Sequence, residues 1–198
     1  RGAMPCYPPG ALSYSESSMN FPVVLLCLFV AFPLSAQEGR DGTYLAARDA
    51  FRAGDRARLD RAAAQIGSHE LAPYVENYQL RMNMEQGDPA ALRSFLDRNE
   101  GSYVAEKLRA DRIRWLGKRG GWSEIDVLYP KLIAPEPDVT CYFQQARIAA
   151  GDNAVLDDAR QVWLTQREPP EACQPVLEAL VVGGRVTGDE VWERVRRQ

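Results

Sequence analysis

Apolar residues recur three and four positions apart along most of the chain, from about Thr43 to its C-terminal end. This spacing places them on one face of a helix, where they can be buried against a neighbouring helix. No segment alternates apolar and polar residues for long enough to predict a β-strand. The pattern therefore predicts an all-α protein of about ten short amphipathic helices. Apolar positions on successive predicted faces include Leu59, Val75, Phe95, Leu108, Ile125, Phe143, Trp163, Leu180 and Val195.

Four Gly-Asp dipeptides interrupt the helical pattern, at positions 54–55, 87–88, 151–152 and 188–189. Glycine readily adopts the left-handed conformation that ends one helix, and aspartate caps the exposed N–H groups of the next. The intervals of 33, 64 and 37 residues between them are close to one, two and one units of a helical-hairpin repeat. We therefore predict an α-superhelix, a solenoid of stacked helical hairpins, although such turns could also recur by chance in a helical bundle.

The first 36 residues differ in composition from the rest of the chain. Residues 1–20 are rich in Pro, Gly and Ser, and residues 21–36 form an uncharged, mostly apolar run of sixteen residues. That run is too short, and too interrupted by proline, for a membrane span of about 20 residues. We predict a leader and signal peptide at 1–36, cleaved after Ala36, with an uncleaved anchor as the alternative. Because the chain begins with Arg, Met19 is a candidate for the true start.

Composition and charge narrow the class of protein. The 198-residue chain is 45% hydrophobic and 26% charged, which is typical of globular proteins. Its net charge of −3 gives no support for a nucleic-acid partner. There is no glycine-rich phosphate-binding loop, and any His-based metal site or Ser-His-Asp triad would depend on His69, the single histidine. We therefore predict no cofactor and no metal site.

Other candidate functional residues have structural explanations. His69 stands beside Ser68 and Glu70 at a predicted helix start, where a solvated or capping role is expected. The pair Asp157-Asp158 falls on the polar side of its predicted helix, which favours a solvated face over acid-base catalysis. The tryptophans at positions 115, 122, 163 and 192 could stack on sugars, but their helical spacing among aliphatic residues favours core positions.

The cysteines bear on the compartment in which the protein works. Cys6 and Cys27 fall in the predicted leader, so the mature chain would retain Cys141 and Cys173. These two residues are predicted at the outer ends of a helical hairpin whose turn is Gly-Asp at 151–152. Antiparallel helices would bring those ends together, so the cysteines form either a disulfide or two buried free thiols.

Several segments together match a known family. They are Tyr44-Leu45-Ala46-Ala47-Arg48, Ala50-Phe51, Ala53-Gly54-Asp55, Leu71-Ala72-Pro73-Tyr74, Trp122, Cys141-Tyr142, Trp163-Leu164-Thr165 and Ala172-Cys173. In this order they resemble the N-terminal superhelical region of the soluble lytic murein transglycosylases. The resemblance covers about residues 41–198, and the block framed by the two cysteines is its most distinctive part. It implies a U-shaped ring of helices over 37–198, a disulfide between Cys141 and Cys173, and a periplasmic location.

The chain also departs from this family. Catalysis in the family belongs to a later lysozyme-like domain with a Glu-Ser motif, whereas the single Glu-Ser pair here is Glu16-Ser17 in the predicted leader. We therefore expect no catalytic residue in this chain and an absent catalytic domain. The apolar stripe of the last predicted helix, Val191, Trp192 and Val195, indicates that the superhelix is incomplete.

Two functional hypotheses follow from the resemblance and its departure. In the first, the chain is the N-terminal scaffold of a periplasmic lytic transglycosylase whose full form cleaves O-glycosyl bonds of peptidoglycan glycan strands during cell-wall turnover. In the second, it is a stand-alone periplasmic helical-repeat adaptor that binds a protein and has no enzymatic activity. Periplasmic protein partners are compatible with both hypotheses. After signal cleavage, neither hypothesis requires a membrane span.

Overall fold

The computed structural model describes residues 34–165 and 167–197, with side chains from residue 41 onward. Nearly all of the predicted leader therefore lies outside the described residues, including Cys6, Cys27, the pair Glu16-Ser17 and the candidate start Met19. The predicted signal peptide and its cleavage site remain predictions. No helix among the described residues is both long and apolar enough to cross a membrane.

The described residues are predominantly helical and contain no β-strand. The ten α-helices are α1 (Leu34–Ala53), α2 (Arg56–Ile66), α3 (Ala72–Met82), α4 (Pro89–Arg98), α5 (Tyr103–Gly117), α6 (Trp122–Leu128), α7 (Pro137–Ala149), α8 (Val155–Thr165), α9 (Gln174–Val182) and α10 (Gly188–Arg197). Two short 3-10 helices, Tyr129–Lys131 and Glu171–Cys173, follow α6 and precede α9. The prediction of an all-α protein is confirmed.

Most helices pack against their near neighbours along the chain. The odd-numbered helices also pack in succession: α1 on α3, α3 on α5, α5 on α7 and α7 on α9. Contacts of this local kind are expected where helical hairpins stack side by side. The solenoid itself, and its U shape, remain predictions.

The apolar stripes form three buried clusters in chain order. The first joins α1, α2 and α3 through residues such as Ala47, Leu59 and Val75. The second and largest extends from α4 to α7, and Phe95 and Ile125 are fully buried in it. The third joins α7, α8 and α9 and contains both mature cysteines. Helices α1 to α9 thus bury their stripes against the helices next to them, as their amphipathic patterns predict, whereas the stripe of α10 is not buried.

Three of the four Gly-Asp dipeptides cap helices as predicted. Asp55 Oδ1 accepts a hydrogen bond from the backbone N–H of Arg58 at 2.9 Å, at the start of α2. Asp88 and Asp152 make the corresponding contacts two residues ahead, with the N–H groups of Ala90 and Ala154 at 2.8 and 3.1 Å. The preceding glycines at 54 and 151 have φ angles of 69° and 83°, in the left-handed region. For Gly87 this part of the prediction is wrong: its φ is not positive, and α3 already ends at Met82.

The prediction for the fourth dipeptide is wrong. Gly188 begins α10 rather than ending a helix, and Thr187 supplies the cap. Thr187 Oγ1 accepts from the backbone N–H of Glu190 at 3.3 Å, while Glu190 Oε2 accepts from the N–H of Thr187 at 2.8 Å. This reciprocal capping box satisfies two N–H groups at once, so the helix begins directly after the threonine.

Candidate functional site

The region with the most distinctive chemistry is the hairpin of α7 and α8 with the 3-10 helix that follows. A disulfide joins Cys141 on α7 to Cys173, with their Cα atoms 4.9 Å apart. Both cysteines are buried, in one cluster with Leu156, Trp163 and Leu180. This is the pairing that the resemblance to the transglycosylases implied.

Cys173 does not lie at the end of α8, where the hairpin prediction placed it. Helix α8 ends at Thr165, and Cys173 belongs to the 3-10 helix before α9. Pro169 and Pro170 lie between these elements; proline has no N–H to continue a helix, and it disfavours helical conformation in the residue before it. The chain therefore leaves α8 and returns to α7, where Gln145 Nε2 donates to the carbonyl of Ala172 at 2.7 Å.

A polar cleft of about 570 Å³ lies beside this hairpin, between α5, α7 and the segment 170–175. Its lining residues are Arg114, Lys118, Asp138, Tyr142, Gln145, Pro170, Glu171, Ala172 and Pro175. Burial raises the pKa of the Tyr142 phenol, and Asp138 adds to that rise. The lining carries both basic and acidic side chains, and one side of the cleft is formed by the segment 170–175, which contains Cys173.

An ion-pair network links α5 to the start of α7 within this cleft. Arg114 donates to both carboxylate oxygens of Asp138, at 2.6 and 2.9 Å, and also bonds Glu136 and Asp111. The hydrogen bonds from Arg114 lower the pKa of Asp138, and its positive charge acts in the same direction, whereas partial burial opposes them. Asp138 also lies in the first turn of α7, where a negative charge is favourable. The network is a structural clamp between two helices.

Replacing Asp138 with Asn is expected to lower the free energy of unfolding by about 1–2 kcal/mol at neutral pH, because the carboxylate charge and one of its two hydrogen bonds with Arg114 are lost. The pKa of Asp138 is lower in the folded protein than in the unfolded chain, where it is about 3.9. The contribution of Asp138 to stability is therefore complete above the unfolded pKa and is lost as the pH falls through the folded pKa. Urea unfolding at several pH values should therefore show the difference shrinking below about pH 4.

Asp157→Asn is the matched control for this prediction. Asp157 forms a single ion pair with Arg185 at 2.8 Å, and its side chain is 64% exposed, against 27% for Asp138. An exposed ion pair of this kind contributes about 0–1 kcal/mol to the free energy of unfolding. Equal effects of the two substitutions, or a difference independent of pH, would contradict the role given to Asp138.

His69 has a capping role, as predicted, but it is not solvated. Its Nδ1 atom accepts from the backbone N–H of Leu71 at 3.1 Å, just before α3. Its Nε2 atom lies 3.0 Å from Asp41 on α1, and the ring is largely buried. The solvated alternative is wrong because α1 covers the ring. Within the part of the chain that the structure describes, no group of three His, Cys, Asp or Glu residues could hold a metal ion.

The tryptophan prediction is right for three residues and wrong for one. Trp163 is buried in the disulfide cluster, and Trp115 and Trp122 pack against the largest core cluster. Trp192 on α10 is exposed, because α10 lies against α8 through its arginines rather than its apolar stripe. The prediction for Asp157-Asp158 is confirmed, since both side chains are exposed.

The hydrophobic pattern of the sequence does not predict the buried polar residues. Asn77 is buried in α3 and donates to the carbonyl of Val104 at 2.9 Å, which links α3 to α5. Arg109 on α5 is only 2% exposed. A signal was available for Arg109, because it stands four residues after Ala105 and four before Ile113, both of them buried core residues of α5.

Comparison with known proteins agrees with this architecture. No protein-family model matches the chain. No curated protein sequence matches it significantly either. Two solved structures of the 70-kDa soluble lytic transglycosylase do match, one of the Escherichia coli enzyme and one of a complex with bulgecin A. Each has a TM-score of 0.65 and 18% sequence identity, and each match covers 80% of this chain.

The described part of the chain thus has an all-helical fold. That fold is shared with the soluble lytic transglycosylase, as the sequence resemblance predicted. The chain spans 26% of the length of the matched enzyme. At this level of identity the similarity establishes the fold, and activity requires a separate argument.

Proposed function

We propose that this chain is the N-terminal scaffold portion of a periplasmic lytic murein transglycosylase, with the catalytic domain absent from it. The fold match over 80% of the chain is the observation that carries this proposal. The matched enzyme is much longer, which leaves room for a separate catalytic domain. In this interpretation the helices hold and position that domain, and peptidoglycan glycan strands are the partner of the complete enzyme.

Three carboxyl groups of the described residues are unsuited to the role of a proton donor. Cleavage of a glycosidic bond needs a carboxylic acid that remains protonated near neutral pH and donates its proton to the leaving oxygen. The carboxyl groups with clearly shifted pKa values in the described residues are Asp138, Asp152 and Glu190, and all three shifts are downward. A lowered pKa favours the ionised form, which cannot donate a proton.

The disulfide supports an exported protein. Disulfides persist in oxidising compartments such as the bacterial periplasm and are rare in the cytosol. A buried bond between Cys141 and Cys173 therefore fits a chain that carries a signal peptide and works in the periplasm. Thiol labelling of protein from the periplasmic fraction should modify these cysteines only after reduction. Full labelling under denaturing conditions without reductant would contradict a periplasmic disulfide.

Purified protein is expected to release no anhydro-muropeptides from murein sacculi, because the proton donor belongs to a domain outside this chain. The E. coli 70-kDa enzyme serves as the active control in the same chromatographic assay. Release of these products by this chain would overturn the scaffold assignment. A downstream segment in the same reading frame encoding a lysozyme-like Glu-Ser domain supports the scaffold, whereas its absence favours the adaptor.

A further inference from the structure

A second cleft, of about 400 Å³, lies between α4 and α6 with α5 at its base. This volume is within the range of small-molecule sites, about 300–1,000 Å³. We name it the α4–α6 cleft. Its lining residues are Pro89, Leu92, Arg93, Leu96, Asp97, Arg109, Arg112, Glu124, Val127, Leu128 and Lys131.

Aliphatic side chains form the walls of the α4–α6 cleft. Leu92 and Leu96 on α4 and Leu128 on α6 are buried members of the largest core cluster. Val127 on α6 also lines the cleft, and it is 63% exposed. An apolar group in this cleft would remove that surface from water, which is favourable by the hydrophobic effect.

The charges of the lining are predominantly positive. Four basic side chains face two acidic ones, whereas the whole chain carries a net charge of −3. The basic residues are Arg93, Arg109, Arg112 and Lys131, and the acidic residues are Asp97 and Glu124. The cleft is therefore a locally positive region on a negative protein, which favours an anionic ligand.

The two arginines of α5 differ in how their charges are compensated. Arg112 makes two parallel hydrogen bonds with Glu124, both 2.9 Å, so its charge is neutralised. Arg109 bonds Glu100 through one terminal nitrogen, but its Nε–H group is buried without a partner in the described residues. A buried unpaired donor is costly, and a nearby anion compensates part of that cost.

The cations at the rim of the cleft are available to a ligand. Arg93 donates from Nε to the carbonyl of Pro89 at 3.3 Å, and Lys131 follows α6 in its 3-10 helix. Among residues 34–165 and 167–197, neither cation has a carboxylate within salt-bridge distance. A bound anion can therefore reach them without breaking an existing ion pair.

From these observations we propose that the α4–α6 cleft binds a carboxylate attached to a short apolar chain. The apolar chain lies against the aliphatic walls, and the carboxylate is held by the rim cations Arg93 and Lys131 above the buried Arg109. A free alkyl carboxylic acid and the C-terminus of a short apolar peptide both present this chemistry. The site is independent of the proposed scaffold function, because it requires neither glycan nor a catalytic domain.

Calorimetric titration of the full chain with two probes tests the proposal and separates the sources. The probes are octanoate and the peptide Ala-Ala-Leu with a free C-terminus, each compared with its uncharged amide. Saturable binding is expected for at least one carboxylate, and its amide should bind about tenfold more weakly, since a charge-assisted hydrogen bond is lost. Binding of octanoate alone assigns a free acid, and binding of the peptide alone assigns a peptide terminus.

Substitutions of exposed residues test whether the ligand binds in the α4–α6 cleft, and they leave the buried core unchanged. Val127→Asp introduces a negative charge into the cleft and should weaken binding by at least about tenfold. Val195→Asp is the matched control, because Val195 is 57% exposed on α10 and does not line the cleft, so this variant should bind the ligand as the wild type does. Lys131→Gln should weaken binding about threefold to tenfold, and Asp97→Asn should strengthen it about twofold to fivefold.

Three results would overturn the proposal. The first is absence of saturable binding of both carboxylates at millimolar concentrations. The second is equal affinity for acid and amide, which would remove the role of the cations. The third is unchanged binding by Val127→Asp with a native circular dichroism spectrum, which would place the ligand elsewhere.

Discussion

Removal of the disulfide is expected to lower the free energy of unfolding by about 3–4 kcal/mol, the largest effect that we predict for this chain. Cys141 and Cys173 are 32 residues apart in the sequence, and the bond restricts the unfolded chain by closing that loop. For a chain of this length, the loss corresponds to a fall in melting temperature of about 10 °C. The double variant Cys141→Ala/Cys173→Ala, followed by circular dichroism on heating, measures it.

Reduction of the wild type provides the control for that experiment. A strong phosphine reductant should shift the wild type towards the double variant and leave the variant unchanged. The alanine pair avoids burying unsatisfied hydroxyl groups, which serine would introduce at these fully buried positions. If the double variant unfolds within about 1 kcal/mol of the wild type, the disulfide does not stabilise this hairpin as we infer.

Replacing Gly117 with Ala is expected to lower the free energy of unfolding by about 2 kcal/mol. Gly117 ends α5 against the Tyr142 ring of α7, and an added Cβ would lie 2.1 Å from Cδ1 of that ring. The contact is with the body of the ring rather than its tip, so α5 and α7 would have to move apart. Urea unfolding measures the loss.

Gly42→Ala is the control for the glycine prediction. Gly42 lies within α1, and nothing is within 4 Å of the position of its added Cβ. There the substitution should raise stability by up to about 1 kcal/mol through helix propensity. In a double-mutant cycle, Gly117→Ala should lower the free energy of unfolding less in the Tyr142→Ala background than in the wild type, because the clashing ring is gone. Additive effects would show that the close approach to Tyr142 is not the cause.

Most of the Asp N-caps could be predicted from neighbouring residues in the sequence. Aspartates 55, 88 and 152 were predicted because a cap requires only a side-chain oxygen a few residues from the N–H groups that it accepts from. At position 188 the same reasoning failed, because Thr187 and Glu190 form a more complete local arrangement. The signal for it, Thr followed three residues later by Glu, was also present in the sequence.

The candidate sites were less predictable than the helices. The family resemblance implies the disulfide, whereas the positions of the two cysteines on a predicted hairpin are also compatible with free thiols. The α4–α6 cleft was not predicted, because its walls and cations come from three α-helices and a 3-10 helix whose relative placement no local pattern reveals. The exposure of Trp192 was missed for the same reason, since an amphipathic stripe does not show whether another helix covers it.

The sequence by itself determined the all-α class and three of the helix caps, because helical periodicity and capping depend on residues within a few positions of one another. The tertiary structure alone decided which stripes are covered, where Gly117 meets Tyr142, and how Arg109 came to be buried beneath a cleft. These features depend on contacts between residues far apart in the chain. Such contacts are set by side-chain packing between helices, which the spacing of apolar residues does not encode.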